Sequence, residues 1–167
     1  MKNLYIVSLG CTKNLVDTES IFFQFKKKGF NLVLDKDKAR YVVINTCAFL
    51  KSAVRESDSV IKEFLLLKKR GKIKKVFIAG CLVERYKDDI LSKYPCADGF
   101  IGVVGSYCDV GDVIDGRKRF LIDAKDRIES SSRIVLTKPH SVYLKIADGC
   151  NNNCSYCTIP FIRGRFR

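Results

Sequence analysis

Residues 41–47 have the sequence Tyr41-Val42-Val43-Ile44-Asn45-Thr46-Cys47, an almost continuous apolar run that ends in two polar residues and a cysteine. Short β-branched runs without polar alternation are typical of strands buried on both faces of a parallel sheet. Residues 4–9 and 76–79 have the same character, and each run is followed closely by a cysteine, Cys11 and Cys81 respectively. These three strand–cysteine segments decide the fold class.

Helical patterns lie between the predicted strands. Three segments have helical apolar periodicity and end at a glycine or proline, the usual stop signals: 17–28, 52–70 and 84–94. Shorter elements are predicted as strands at 30–34 and 99–104 and as a helix at 107–114. Strands that alternate with helices predict an α/β fold built on a doubly wound parallel sheet.

Domain boundaries follow from changes in this pattern. Residues 1–122 form the predicted sheet domain, and residues 123–139 are polar and aperiodic, which is typical of a linker. Residues 140–167 begin a second unit, because the apolar residues in 141–147 alternate as in a strand. The residues that remain are too few for an independent domain.

Composition narrows the class of protein. There are 31 Lys and Arg against 18 Asp and Glu, a net charge of +13 that favours contact with RNA or another polyanion without identifying one. Eight cysteines would suit a small secreted disulfide protein, but the start of the chain lacks the apolar core of a signal peptide. No apolar run approaches the roughly 18 residues of a membrane span. We therefore expect a cytoplasmic protein whose reduced cysteines serve metal binding or catalysis.

A first set of three cysteines, here called the strand-end trio, consists of Cys11, Cys47 and Cys81. The carboxyl ends of parallel strands share one edge of the sheet, where α/β proteins bind ligands, so the trio is predicted to meet in space. Gly10 and Gly80 precede two of the cysteines and permit close approach of backbone or cofactor. The alternative is that each cysteine is a small buried hydrophobic residue.

A second set, the loop trio, lies in Cys150-Asn151-Asn152-Asn153-Cys154-Ser155-Tyr156-Cys157. Such tight spacing predicts a metal centre. A four-iron cluster normally takes four cysteines, so three leave one iron open for a substrate or cofactor. Zinc bound by these thiolates and His140 is the competing interpretation. Cys96 and Cys108 lie outside both trios and are expected to be unliganded, or in a minor alternative to supply a fourth ligand.

These motifs resemble a known family. The spacing of the loop trio resembles the cluster loop of radical S-adenosylmethionine enzymes, and residues 158–164 are similar to the methylthiotransferase version of that loop. Residues 8–19, 45–49 and 79–82 are similar to the amino-terminal domain of the radical S-adenosylmethionine methylthiotransferases, in the same order and spacing. The resemblance covers nearly the whole chain.

The resemblance implies two 4Fe–4S clusters and S-adenosylmethionine as cofactors. The loop trio would hold the cluster that binds S-adenosylmethionine, with Tyr156 beside its adenine, and the strand-end trio would hold an auxiliary cluster that supplies sulfur. A βα barrel of about 200 residues or more would follow. Because the chain ends at Arg167, we expect it to contain only the truncated start of that barrel and to have no turnover alone.

The residues around Cys11 also indicate a substrate. The pattern from Ser8 to Asp17 resembles the branch that modifies an aspartate of a small-subunit ribosomal protein, although Thr12 stands where that branch has proline. A tRNA adenosine is the alternative substrate within the family. From other classes, a zinc-stabilised RNA-binding module and a thiol-redox domain remain as hypotheses; the second lacks a Cys-x-x-Cys at a strand-to-helix junction of the first domain.

Overall fold

The computed structural model describes residues 1–103, 107, 109–122 and 132–167. Its strands and helices alternate along the first part of the chain, as the sequence predicts. In order they are β1 (Asn3–Ser8), α1 (Thr12–Lys27), β2 (Asn31–Leu32), β3 (Tyr41–Thr46), α2 (Lys51–Lys69), β4 (Lys75–Gly80), α3 (Cys81–Lys93), β5 (Gly99–Ile101), α4 (Val110–Ile114), β6 (Phe120–Leu121) and α5 (Ile159–Arg163). A short 3₁₀ helix, Lys36–Lys38, precedes β3.

All six strands pair in parallel, in the order β2-β1-β3-β4-β5-β6. This confirms the predicted α/β fold. The register pairs Ser8 of β1 with Asn45 of β3, and Thr46 of β3 with Gly80 of β4. Strands β1, β3 and β4 thus lie side by side, and they end at nearly the same level.

Helices cover both faces of the sheet, which is the doubly wound arrangement. One core joins Val42 and Ile44 of β3 to α2 and α3, and the other joins Val43 of β3 to α1 and α4. Successive side chains of a strand point to opposite faces, so a strand covered on both sides needs apolar residues at every position. This is why residues 42–44 are continuously apolar and fully buried.

Two helices begin several residues earlier than predicted, one directly after a cysteine and one at a cysteine. Helix α1 begins at Thr12, directly after Cys11, and α3 begins at Cys81 itself. Their first turns are not periodic in the sequence because residues such as Asn14 face the buried end of the sheet instead of solvent. Strand β6 was not predicted, since two residues are too short for a periodic pattern.

The strand predicted at 141–147 is wrong. These residues have no regular secondary structure, and Val142, Leu144 and Ile146 are exposed. A β-strand needs a neighbour for its backbone hydrogen bonds. Within the described part of the chain, no strand pairs with this segment. The part of the second unit that would belong to a barrel is therefore represented here only by irregular chain and α5.

The predicted linker, residues 123–139, lies partly outside the described residues, and its boundaries stay a prediction. Its described end is anchored to α1 by the buried carboxylate of Glu19. Arg133 Nη1 lies 3.1 Å from Glu19 Oε2, and the backbone N–H of Leu136 donates to Glu19 Oε1 at 2.9 Å. No helix in the described residues has both the length and the apolar character needed to span a membrane.

Gly80 offers a test of how tightly the strand ends are packed. Its φ is +90°, and a Cβ there would collide with Asn45 Oδ1 and lie 2.7 Å from the Thr46 carbonyl oxygen. We expect Gly80→Ala to lower the free energy of unfolding of the metal-free chain by about 3 kcal/mol, from left-handed strain plus overpacking. Gly71→Ala is the matched control, because Gly71 has φ +75° with open space around it. It should cost only about 1 kcal/mol. Equal losses in urea-induced unfolding would contradict the packing argument.

Candidate functional site

The parallel register places Cys47 and Cys81 side by side at the carboxyl edge of the sheet. Each follows directly after one of two paired residues, Thr46 of β3 and Gly80 of β4. Neighbouring strands are about 4.8 Å apart, so residues at matching positions on two strands are close neighbours. Both cysteines are buried, with 8% and 1% of their surface exposed.

Cys11 joins the pair from the other side of β3. A Cβ atom on Gly10 would lie only 2.7 Å from Cys47 Cβ and 3.0 Å from Cys47 Sγ, so the chain just before Cys11 passes directly over Cys47. Only glycine leaves room for that approach. Cys11 itself is exposed. The structure therefore brings the strand-end trio together, with one thiol facing outward and two facing inward.

Two helices direct their amino termini at this trio. Cys11 is the residue immediately before α1, and Cys81 is the first residue of α3. The free N–H groups and the dipole at a helix amino terminus stabilise negative charge, including that of a thiolate. Each helix terminus therefore stabilises a thiolate at its cysteine, although burial outweighs this effect at Cys81 in the metal-free chain.

Buried amide side chains hold the strand ends in place. Asn14 Nδ2 donates to the carbonyl oxygens of Leu9 at 2.6 Å and Thr46 at 3.2 Å, and Asn45 Nδ2 donates to the Asn14 carbonyl oxygen at 2.8 Å. These bonds tie the ends of β1 and β3 to the first turn of α1. The loop after β3 is fixed separately, since Ser57 Oγ donates to the Cys47 carbonyl oxygen at 3.0 Å.

Burial raises the pKa of the Cys81 thiol to about 12 in the metal-free chain; the positive charge of Arg163 opposes this rise, whereas Cys47, Asp17 and Cys11 add to it. The influence of the other two cysteines reflects their closeness to Cys81. Since a metal binds the thiolate, metal binding at this position releases a proton.

The sequence analysis assigned no role to Arg163, although this residue lies in the segment 158–164 that resembles the family's loop. It has 1% of its surface exposed and lies beside the strand-end trio. Its Nη1 donates to both carboxylate oxygens of Asp148, at 3.2 and 3.1 Å, and its Nη2 donates to Asp17 Oδ2 at 3.0 Å. The same Nη2 lies 3.9 Å from Cys81 Sγ. One signal was available: Arg163 ends a short apolar segment, 159–162, where a buried charge is unexpected.

The acidic groups around Arg163 stabilise its positive charge. Burial alone would lower the pKa of Arg163, but Asp17, Cys81 and Asp148 raise it above its ordinary value. Burial would likewise raise the pKa of Asp148, yet Arg163 and Lys145 bring it below the usual range. Lys145 Nζ completes the network, 2.8 Å from Asp17 Oδ1 and 3.3 Å from Asp148 Oδ2.

The loop trio is closed at its base by backbone pairing. Asp148 and Arg167 exchange two backbone hydrogen bonds of 2.9 Å, and the N–H of Cys150 donates to the Gly164 carbonyl oxygen at 3.1 Å. Gly149 permits this contact, since a Cβ there would collide with the Arg165 carbonyl oxygen. The loop from Cys150 to Cys157 therefore begins at a defined position, two residues after Asp148.

Within that loop, one backbone N–H is directed at a cysteine sulfur and another closes a turn. The N–H of Asn152 donates to Cys150 Sγ at 3.5 Å, and the N–H of Cys157 donates to the Cys154 carbonyl oxygen at 3.1 Å. Hydrogen bonds to cysteine sulfur are one means by which proteins tune iron–sulfur centres. Cys154 is exposed, and Cys150 and Cys157 are half-buried.

Several predicted residues stand apart. Tyr156 is 88% exposed, and His140 is exposed as well. Cys96 is exposed and lies before the amino end of β5, whereas the strand-end trio lies at the carboxyl ends of the strands. Cys108 lies outside the described residues. Across the residues that the structure describes, no group of three or more His, Cys, Asp or Glu is arranged around the position of a single metal ion. The ligand sets stay a prediction.

Comparison with known proteins supplies a family. Residues 3–102 match the Uncharacterized protein family UPF0004. The chain is 46% identical over 168 residues to the ribosomal protein uS12 methylthiotransferase RimO of Elusimicrobium minutum, covering 100% of this chain and 39% of that protein. It is 41% identical to the RimO proteins of Thermoanaerobacter sp. and Syntrophomonas wolfei, covering 100% and 99% of this chain and 39% of each relative. The chain thus spans about two fifths of the length of the curated relatives it matches.

The raised pKa of Cys81 predicts selective protection from alkylation. In the reduced, metal-free chain at about pH 8, we expect iodoacetamide to modify exposed Cys11 readily and Cys81 very slowly, as measured by peptide mass spectrometry. The rate at Cys81 should keep rising toward pH 12. Because the folded state holds this proton more tightly than the unfolded state, the associated stability is present below the unfolded pKa and lost as pH rises toward about 12. Equal modification of both thiols at pH 8 would contradict the assignment.

Proposed function

The chain belongs to the Uncharacterized protein family UPF0004, and on that premise we propose that it is the amino-terminal part of a methylthiotransferase that modifies an aspartate of ribosomal protein uS12. The observation that carries the proposal is the meeting of Cys11, Cys47 and Cys81 at one edge of the sheet, in a chain similar along its whole length to uS12 methylthiotransferases. The relatives' names favour the ribosomal protein over the alternative tRNA substrate.

The strand-end trio is proposed to hold the auxiliary 4Fe–4S cluster. Three features support this. Thiolates are the ligands that iron–sulfur clusters require, two helix amino termini stabilise negative charge at the site, and Gly10 lets the chain before Cys11 pass close to Cys47. In a cluster each thiolate binds a different iron, so the three sulfur atoms need not surround a single point. The residues present fit the cluster.

The loop trio is proposed to hold the second 4Fe–4S cluster, with one iron left open for S-adenosylmethionine. The close spacing of the three cysteines supports this assignment. So do the backbone hydrogen bonds that fix the start of the loop and the N–H of Asn152 directed at Cys150 Sγ. S-adenosylmethionine, when bound, supplies the radical chemistry and the methyl group. The exposed ring of Tyr156 is available to stack on the adenine.

Metal analysis of two triple variants tests the cluster assignment. After anaerobic reconstitution with iron and sulfide, Cys11/Cys47/Cys81→Ala and Cys150/Cys154/Cys157→Ala should each lose about half of the iron and labile sulfide, since each removes one of two four-iron clusters. Cys96→Ala is the control, because Cys96 is exposed and lies before the amino end of β5, and it should keep the full content. Zinc without sulfide would instead support the zinc-stabilised module.

A chimera tests the reaction and the substrate. The 167 residues would replace the matching region of the Elusimicrobium minutum relative, to which they are 46% identical. We expect the reconstituted chimera to add a methylthio group to an aspartate of uS12, detected by mass spectrometry of uS12 peptides. Cys47→Ala in the chimera should abolish the modification, and Cys96→Ala should leave it intact. If the chimera modifies tRNA and leaves uS12 unmodified, the substrate is the tRNA adenosine and not the ribosomal protein.

A further inference from the structure

We propose that Arg163 is a positioning residue for the strand-end cluster: its guanidinium joins the base of the loop trio to Cys81 and provides the positive charge beside that thiolate. The inference rests on the proposed function, because it assigns a role at a cluster that the proposal places there. It goes further because it adds to the strand-end site a residue, Arg163, that follows the loop trio in the sequence.

The contacts of Arg163 span both trios. Through Nη1 it binds Asp148, which stands two residues before Cys150, and through Nη2 it binds Asp17 of α1 and approaches Cys81 Sγ at 3.9 Å. The two Nη atoms of the guanidinium point in different directions, so Arg163 binds Asp148 with one and reaches Asp17 and Cys81 with the other. Each end of this connection is itself fixed, by α1 on one side and by the pairing of Asp148 with Arg167 on the other.

Arg163 also keeps an unused donor. Its buried Nε has no hydrogen-bond partner among the residues that the structure describes. A buried donor without an acceptor is unfavourable, so ion pairing alone does not account for the placement of this guanidinium. The ion pairs with Asp17 and Asp148 use Nη1 and Nη2 and do not involve Nε.

Arg163 gives the network of charged side chains beside Cys81 a net positive charge. The carboxylates of Asp17 and Asp148 face Lys145, and Lys13 Nζ lies 3.9 Å from Asp148 Oδ1. The charges of these four side chains cancel, so Arg163 supplies the excess positive charge of this network. A cluster held by thiolates becomes more negative when it is reduced. Nearby positive charge and N–H···S contacts therefore favour the reduced form and raise the reduction potential.

The test isolates the strand-end cluster in the full chain. With Cys150/Cys154/Cys157→Ala as the parent, reconstituted protein would be compared by iron content, electron paramagnetic resonance and redox titration. Arg163→Gln should shift the midpoint potential to a more negative value and alter the spectrum of the reduced cluster. Arg163→Lys, which keeps the charge, should stay nearer the parent. Arg165→Gln is the matched control, because it removes the same charge from an exposed side chain two residues away.

A second variant gives the opposite sign. Asp17→Asn removes a negative charge from the same network and should move the midpoint potential to a more positive value. If Arg163→Gln fails to fold, this variant still tests whether the network controls the potential. A role limited to folding predicts no such pair of opposite shifts. The inference is overturned if Arg163→Gln or Asp17→Asn changes the potential no more than Arg165→Gln does. A parent that assembles no iron–sulfur cluster overturns the proposed function instead, and the inference with it.

Discussion

The parallel register of β1, β3 and β4 is the constraint on which the rest of this structure depends. It sets the three strand ends at one level, so that the residues that follow them, widely separated in the sequence, become neighbours. Glycines and buried amide side chains complete the packing at the carboxyl ends of these strands. Glycines at two strand ends admit close backbone contact, and buried amides take up the carbonyl groups left where the ladders end. A slip of one residue would reverse the facing of the strand's side chains and separate the cysteines.

A buried guanidinium makes the second half of the chain part of the same site. Charged groups are costly to bury unless they are paired, and Arg163 is paired with a carboxylate from α1 and with another from the base of the loop trio. The pairing explains how a segment with little regular structure can dock at a defined place. Ile162 assists by entering the core formed with α2 and α3, while Val142, Leu144 and Ile146 of the same segment stay exposed.

Much of the fold and part of the site were predictable from sequence, for identifiable reasons. Residues 41–47 show the continuous apolar pattern of a strand covered on both faces, and the structure has β3 there. The start of α1 was placed five residues late because its polar first turn serves the strand ends and not solvent. The predicted strand at 141–147 failed because alternation describes a preference, whereas a strand exists only with a hydrogen-bonding neighbour.

The sequence by itself determined the fold class and the family resemblance and pointed to the two cysteine trios. These inferences depend on local patterns: the periodicity of each strand, the cysteine that closely follows it, and the short spacing of the loop trio. Only the tertiary structure decided that Cys47 and Cys81 are buried while Cys11 is exposed, and that Arg163 lies between Asp17, Asp148 and Cys81. The contacts of Arg163 with Asp17 and with Cys81 join residues more than 80 positions apart. No local pattern encodes them, since they arise from the packing of one element against another.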